Sequence, residues 1–201
     1  MESLNNNDNI TVERHPLEPF LPSNARLLML GSFPPPRRRW SMDFFYPNRT
    51  NMMWEIFGLV FFGDSQRLVD AANRTFKLDD ITKLLNERGI AIFDTATAVR
   101  RISGNASDKD LEIVEKTNIE QLLSHITHCH DIVCTGQKSF SVFTDDYGVA
   151  VPEMGKYNTF RLADRDLRLW RMPSSSRAYP MKLEAKALYY RHLMQEVGIL
   201  C

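Results

Sequence analysis

The stretch RLLMLGSFPPPRRRW, residues 26–40, decides the fold. Leu27-Leu28-Met29-Leu30 contains no polar residue, the pattern of a short strand covered on both faces, and Gly31 stops it. Two further runs read the same way: Ile90-Ala91-Ile92-Phe93, ending at Asp94, and Ile132-Val133-Cys134, closed by Thr135-Gly136. A fourth, Leu167 to Met172, alternates and ends at Pro173, which predicts an edge or partly exposed strand.

Helical patterns lie between these runs. Asp79 and Asp80 are candidate caps for a helix through Leu84-Leu85 that closes at Gly89, and Asn118 for one over 119–126. Leu183, Ala187, Tyr190, Met194 and Val197 recur at spacings of four and three before Gly198. Strands separated by helices pair in parallel through right-handed crossovers. The expectation is an α/β fold, a three-layer αβα sandwich around a central, mainly parallel four-stranded sheet. Residues 1–23 are polar, Asn-rich and then broken by prolines, so they read as an N-terminal tail or packed arm, with 24–201 as a single domain.

Composition supports one globular domain: 201 residues, 43% hydrophobic, with 25 basic residues against 25 acidic. A chain of this length buries a core without disulfides or a structural metal. Zero net charge excludes a uniformly basic nucleic-acid binder, so any such surface must be local. Three cysteines with no CxxC spacing fit a reducing cytoplasm, and the longest apolar runs are too short for a bilayer, so no membrane role and a monomer are expected. His125, His128, Cys129, His130 and Cys134 cluster in sequence but match no zinc spacing, and three cysteines fall short of an iron-sulfur set. No metal and no cofactor are expected.

In open parallel sheets ligands bind beyond the carboxyl ends of the strands, which singles out 31–36, 94–101, 135–138 and 172–179. Arg37, Arg38 and Arg39 either hold phosphates or are simply solvated. Asp94 can fasten its own loop, and Ser107 or Asp108 can cap a helix. TGQKSF lacks the GxxxxGK[ST] spacing of a triphosphate loop, which argues against a nucleotide triphosphatase, while Lys138 at a helix start makes a modest anion site. Ser174, Ser175 and Ser176 can cap a helix or face a phosphate. Outside these loops, Tyr46 is a packing or stacking ring and Asn51 a cap for the apolar helix after it.

Taken together these segments resemble the uracil-DNA glycosylase superfamily, and within it the branch described as hypoxanthine-DNA glycosylases. LLMLGSFPP is similar to the strand and GSxPG motif, and Tyr46-Pro-Asn-Arg-Thr-Asn51-Met-Met-Trp54 to YxHPRNxFW. RGIAIFDT, TGQKSF and MPSSS follow in the family's order, so the likeness runs from about Arg26 to the final helix. Pro35 stands in place of the motif's glycine, Asn48-Arg49-Thr50 in place of His-Pro-Arg, and Arg177 in the last loop where a small residue is commoner.

The resemblance implies a monofunctional DNA glycosylase of base excision repair. Its substrate would be DNA with a flipped deaminated base, hypoxanthine ahead of uracil, and its product would pass to abasic-site repair enzymes. Asn51 matches the family's catalytic Asn, and Ser32 stands where other branches place Asn or Asp. Gly31 and Phe33 would read the base, on which Tyr46 would stack. Arg37, Arg38, Arg39, Lys138, Ser174, Ser175, Ser176 and Arg177 would meet the DNA. The alternative is a nucleic-acid or nucleotide binding module that breaks no bond. Residues 31–54, 94–104, 135–138 and 172–182 sum to +7 and the rest of the chain to −7, so the neutral total divides into two opposed regions.

Overall fold

The computed structural model describes residues 11–102 and 110–200. In chain order its strands are β1 (Val12–Arg14), β2 (Leu27–Gly31), β3 (Val69–Asp70), β4 (Thr75–Phe76), β5 (Ile90–Asp94), β6 (Ala96–Arg101), β7 (Leu111–Lys116), β8 (Asp131–Cys134), β9 (Tyr157–Leu162) and β10 (Arg165–Arg171). The helices are α1 (Met53–Phe62), α2 (Leu78–Arg88), α3 (Ile119–His125), α4 (Gln137–Tyr147) and α5 (Leu183–Glu196).

The central sheet has the order β5-β2-β8-β10-β9. Its first four strands are mutually parallel and are the four apolar runs of the sequence. Every residue of β2, β5 and β8 is buried, so both faces of the sheet are covered, as parallel strands require.

Three expectations need correction. The sheet is five-stranded and mixed, because β9 adds antiparallel to β10. That strand, YNTFRL, is polar at every second position and shows no apolar run. Its presence makes β10 an internal strand rather than an edge, though partly exposed as expected, with Pro173 beginning only after the ladder ends. Finally, the chain after 102 returns as β7, which pairs with β6, and β1 pairs with the other side of β6 in a separate antiparallel sheet. Ser107 and Asp108 lie outside the described residues.

Helix ends follow the sequence more closely. Asn118 Oδ1 accepts the Gln121 amide at 3.0 Å, capping α3. Gly89 ends α2 with φ of 65°, a conformation that costs glycine little. Asp79 and Asp80 lie inside the first turn of α2, where they favour its dipole, but Lys77 occupies the cap position.

One buried charge anchors the far end of the sheet. Asp131, at the start of β8, accepts from Arg168 Nε at 2.7 Å and from a terminal guanidinium nitrogen at 2.8 Å, while Trp170 Nε1 donates to it at 2.7 Å. Removing one partner of such a pair leaves the other charge uncompensated. Asp131→Ala should therefore cost about 3–5 kcal/mol in urea unfolding, and a loss below about 1 kcal/mol, the range of an exposed pair, would show that the pair carries no such weight.

Candidate functional site

The carboxyl ends of β2, β5, β8 and β10 open onto one cavity of about 1100 Å³. All four suspect loops contribute to its wall, together with residues 45–48, 50 and 51. The sheet's order explains the place. The chain leaves β2 for β5 on one side and crosses to β8 on the other, so the tip of β2 stands where the connections diverge.

The first wall is Gly31 to Pro35. Buried Arg101 holds its two prolines, Pro34 and Pro35, from behind. The guanidinium donates from Nε to both Glu13 oxygens at 3.0 Å and from a terminal nitrogen to the Pro34 carbonyl. It also lies 5.7 Å from the centre of the Phe33 ring, which packs with Ala96, Val99 and Leu111 in a small core of its own.

Next to this wall the tip of β5 presents Asp94. Its side chain is 11% exposed, and His15 Nε2–H donates to Oδ2 at 2.9 Å. The His15 Nδ1 sits 2.8 Å from the Leu17 carbonyl and 3.2 Å from its amide, and the ring packs on Phe93 and Phe33. The other carboxylate oxygen, Oδ1, lies over Gly31: a Cβ at that glycine would stand 2.2 Å from it. Gly31 is thus a glycine because the carboxylate occupies the space of a side chain.

The opposite wall joins two segments that are far apart in sequence. Asn51 and Ser176 form an antiparallel bridge, the Met52 amide donates to the Ser175 carbonyl at 2.9 Å, and the Arg177 amide to that of Thr50 at 3.3 Å. Lys186 of α5, with no exposed surface, clamps the junction: its Nζ donates to the Ser176 carbonyl at 2.6 Å and approaches Met52 Sδ at 3.6 Å. Burial lowers the pKa of this ammonium, and Arg177 adds to the effect.

Met52 occupies the cap position of α1, and Asn51, one residue before it, accepts the Met53 amide on Oδ1 at 2.9 Å and lines the cavity. Tyr46 is held at φ of 50°, in the left-handed region that a bulky residue adopts only at a cost of about 1–3 kcal/mol. Its hydroxyl meets Thr135 Oγ1 at 3.1 Å and its ring packs edge-on against Trp54. Burial pushes the phenol well above its ordinary pKa, so the ring stays neutral.

The remaining site candidates divide. Ser32, Phe33, Arg39, Lys138, Ser174, Ser175, Ser176 and Arg177 all line the cavity, and Lys138 does so from the first turn of α4. Arg37 and Arg38 are exposed on a single 3₁₀ turn outside that lining. Arg37 pairs with Asp43 at 2.9 Å and stacks on Trp40. The positive rim is accordingly smaller than the loop sum of +7 implies, because Arg100 and Arg101 are directed to Glu112 and Glu13. Arg177 also reaches Glu55 at 3.7 Å. Among cavity-lining residues three are basic, Arg39, Lys138 and Arg177, and one is acidic, Asp94.

The histidine and cysteine cluster is elsewhere. Cys129 is buried and donates to the Asp131 carbonyl at 3.3 Å, with its thiol pushed up to about 12 by burial. Among the described residues no three His, Cys, Asp or Glu side chains are placed to hold a metal, and no helix is long and apolar enough to cross a membrane. His15 and Lys186 escaped prediction as parts of the site, whereas Arg101 and Thr135 lie in loops singled out from the sequence. His15 sits between polar and proline-rich segments with no periodicity to mark it, and Lys186 is one lysine on an otherwise amphipathic helix.

No family model and no curated protein matches the chain. Its fold is similar to that of a Methanosarcina acetivorans protein, provisionally described as a uracil DNA glycosylase, whose structure was solved by NMR in solution. The TM-score is 0.59 at 20% identity, over 91% of this chain and 99% of that one.

The contact between Gly31 and Asp94 makes a specific prediction. Gly31→Ala must drive the carboxylate away from His15, and overpacking of this kind costs about 1–3 kcal/mol. Urea unfolding should show that loss. An unchanged midpoint would mean that the carboxylate moves freely and is not fixed by its neighbours.

Proposed function

We propose that the protein is a DNA glycosylase that hydrolyses the N-glycosidic bond of a deaminated base turned out of the duplex, with hypoxanthine ahead of uracil. The observation that carries this reading is the meeting of Tyr46, Asn51 and Ser32 at one strand-tip cavity with Arg39, Lys138 and Arg177 at its wall. The likeness in fold to the Methanosarcina acetivorans protein supports it.

Extruding a base costs a few kcal/mol, least for a mispaired one. One aromatic stacking contact returns about 1–3 kcal/mol, and Tyr46 is the ring placed to supply it. Cations along the wall meet phosphates and hold the backbone without reading sequence. Ser174, Ser175, Ser176 and Arg177 press on the DNA from the side opposite Gly31 to Phe33. Arg37 and Arg38, further out, meet more distant phosphates.

Breaking the bond leaves positive charge on the sugar and negative charge on the departing base. Asn51 cannot act as a strong general base, since an amide is a poor proton acceptor and its Oδ1 is already occupied by the Met53 amide. What remains is the Nδ2 donor, suited to the leaving base or to the attacking water. Donors preorganised toward developing charge commonly supply the largest part of the acceleration. Ser32 adds a hydroxyl at the same wall.

The two tasks of Asn51 can be separated. Asn51→Asp keeps an oxygen for the Met53 amide but removes the N–H donors. On a duplex containing hypoxanthine opposite thymine, the single-turnover rate should fall about 10²–10³-fold with thermal stability retained. A rate near that of the unaltered protein would leave Asn51 only its bond to the Met53 amide.

A further inference from the structure

Among the described residues one buried side-chain polar atom has no hydrogen bond. It is Oε2 of Glu55, in the first turn of α1, four residues beyond Asn51. The charge opposite it is Arg177, whose terminal nitrogen stands 3.7 Å away, within ion-pair range but too far for a hydrogen bond. The carboxylate is sunk, with 15% of its side chain exposed, while the arginine is 57% exposed and lines the cavity.

The backbone of Arg177 is pinned to the Asn51 segment by its amide bond to the Thr50 carbonyl. Its guanidinium has no other hydrogen bond or ion pair among the described residues, so Nε and the second terminal nitrogen are free to donate. The Lys186 ammonium is near enough to feel the like charge of Arg177. That repulsion works against the guanidinium's place, and the Glu55 carboxylate offsets it. Letting go of Glu55 to bind DNA would strand a buried carboxylate, a costly state. The pair therefore persists when a phosphate arrives, and a planar fork held on one side offers its remaining N–H groups in fixed directions.

On the proposed reading, on which this inference rests, the ligand at this wall is the phosphate backbone of a duplex with one base turned out. We infer that Glu55 is a positioning residue: it pre-orders the guanidinium of Arg177, which meets a phosphate of the bound strand. Ordering a long side chain at an interface works against binding, and one ordered beforehand does not incur that loss again. Glu55 thus raises the affinity for DNA although its own charge repels phosphate. Charge alone would give the opposite sign.

Equilibrium binding to a duplex with a single tetrahydrofuran abasic analogue, which holds no base to excise, separates the two signs. Removing a carboxylate from a DNA-facing wall ordinarily tightens binding. Glu55→Gln should instead weaken it about two- to tenfold, the effect of ordering one long side chain. Arg177→Ala should weaken it about tenfold or more, as loss of a hydrogen bond to a charged group does. In the Arg177→Ala background, Glu55→Gln should tighten binding or leave it level, because no guanidinium remains to be held. Glu55→Met, similar in length and without polar atoms to satisfy, carries the same comparison if Glu55→Gln does not fold.

Binding unmoved or tightened by Glu55→Gln alone, or an equal effect in both backgrounds, overturns the inference. The glycosylase reading then stands if the unaltered protein excises hypoxanthine from a companion duplex. If that protein binds the abasic duplex but excises no base, the glycosylase reading falls and the same four affinities still uphold or sink the role of Glu55. A protein that binds neither duplex removes both.

Discussion

The site depends on one close approach, the carboxylate of Asp94 against the bare Cα of Gly31. Strand β2 is buried throughout and flanked by parallel neighbours on both sides, so its tip cannot shift to make room. A side chain at residue 31 would collide with Oδ1. With glycine there, the carboxylate sits at the wall of the cavity, and a histidine from another segment fixes it in place. Stiff prolines then lead the chain away, held from behind by Arg101. Each of these features makes sense only in the presence of the others.

The facing wall is assembled by a different device. Segments around residues 51 and 176 are joined by backbone bonds across a gap of more than a hundred residues, and a buried ammonium secures the junction. Burying Lys186 without a carboxylate partner among its hydrogen bonds works against stability. Its Nζ lies beneath the loops proposed to grip phosphate, with Arg177 near enough to lower its pKa further. The cavity therefore has one anionic point on the β2 and β5 side and cationic groups around it.

Much of this could be read from the sequence, for identifiable reasons. Strands buried on both faces betray themselves as unbroken apolar runs, and all four were legible along with the loops at their tips. Strand β9 was not, because an edge strand with one solvated face carries charges and polar residues at alternate positions. The helix expected beyond residue 108 gives way to β7, since LEIVEK alternates as a half-exposed strand does. The cavity-lining motif residues were found by their order and spacing. His15 and Lys186 were not, since a buried histidine in a polar arm and a buried lysine in a helix become visible only when tertiary contacts show what surrounds them. Net charge was legible as a sum, whereas its partition between cavity and local ion pairs needed coordinates, as Arg100 and Arg101 show.

The central claim is that a base bound in this cavity leaves the DNA with its glycosidic bond broken. The direct measurement is mass spectrometry of a duplex with one deaminated base after incubation with the protein, counting free base and strand mass together. The account predicts free hypoxanthine or uracil equal in amount to strands that have lost that base and gained water, with the phosphodiester chain intact. Duplex that is bound yet recovered at its full starting mass, with no free base, would contradict it.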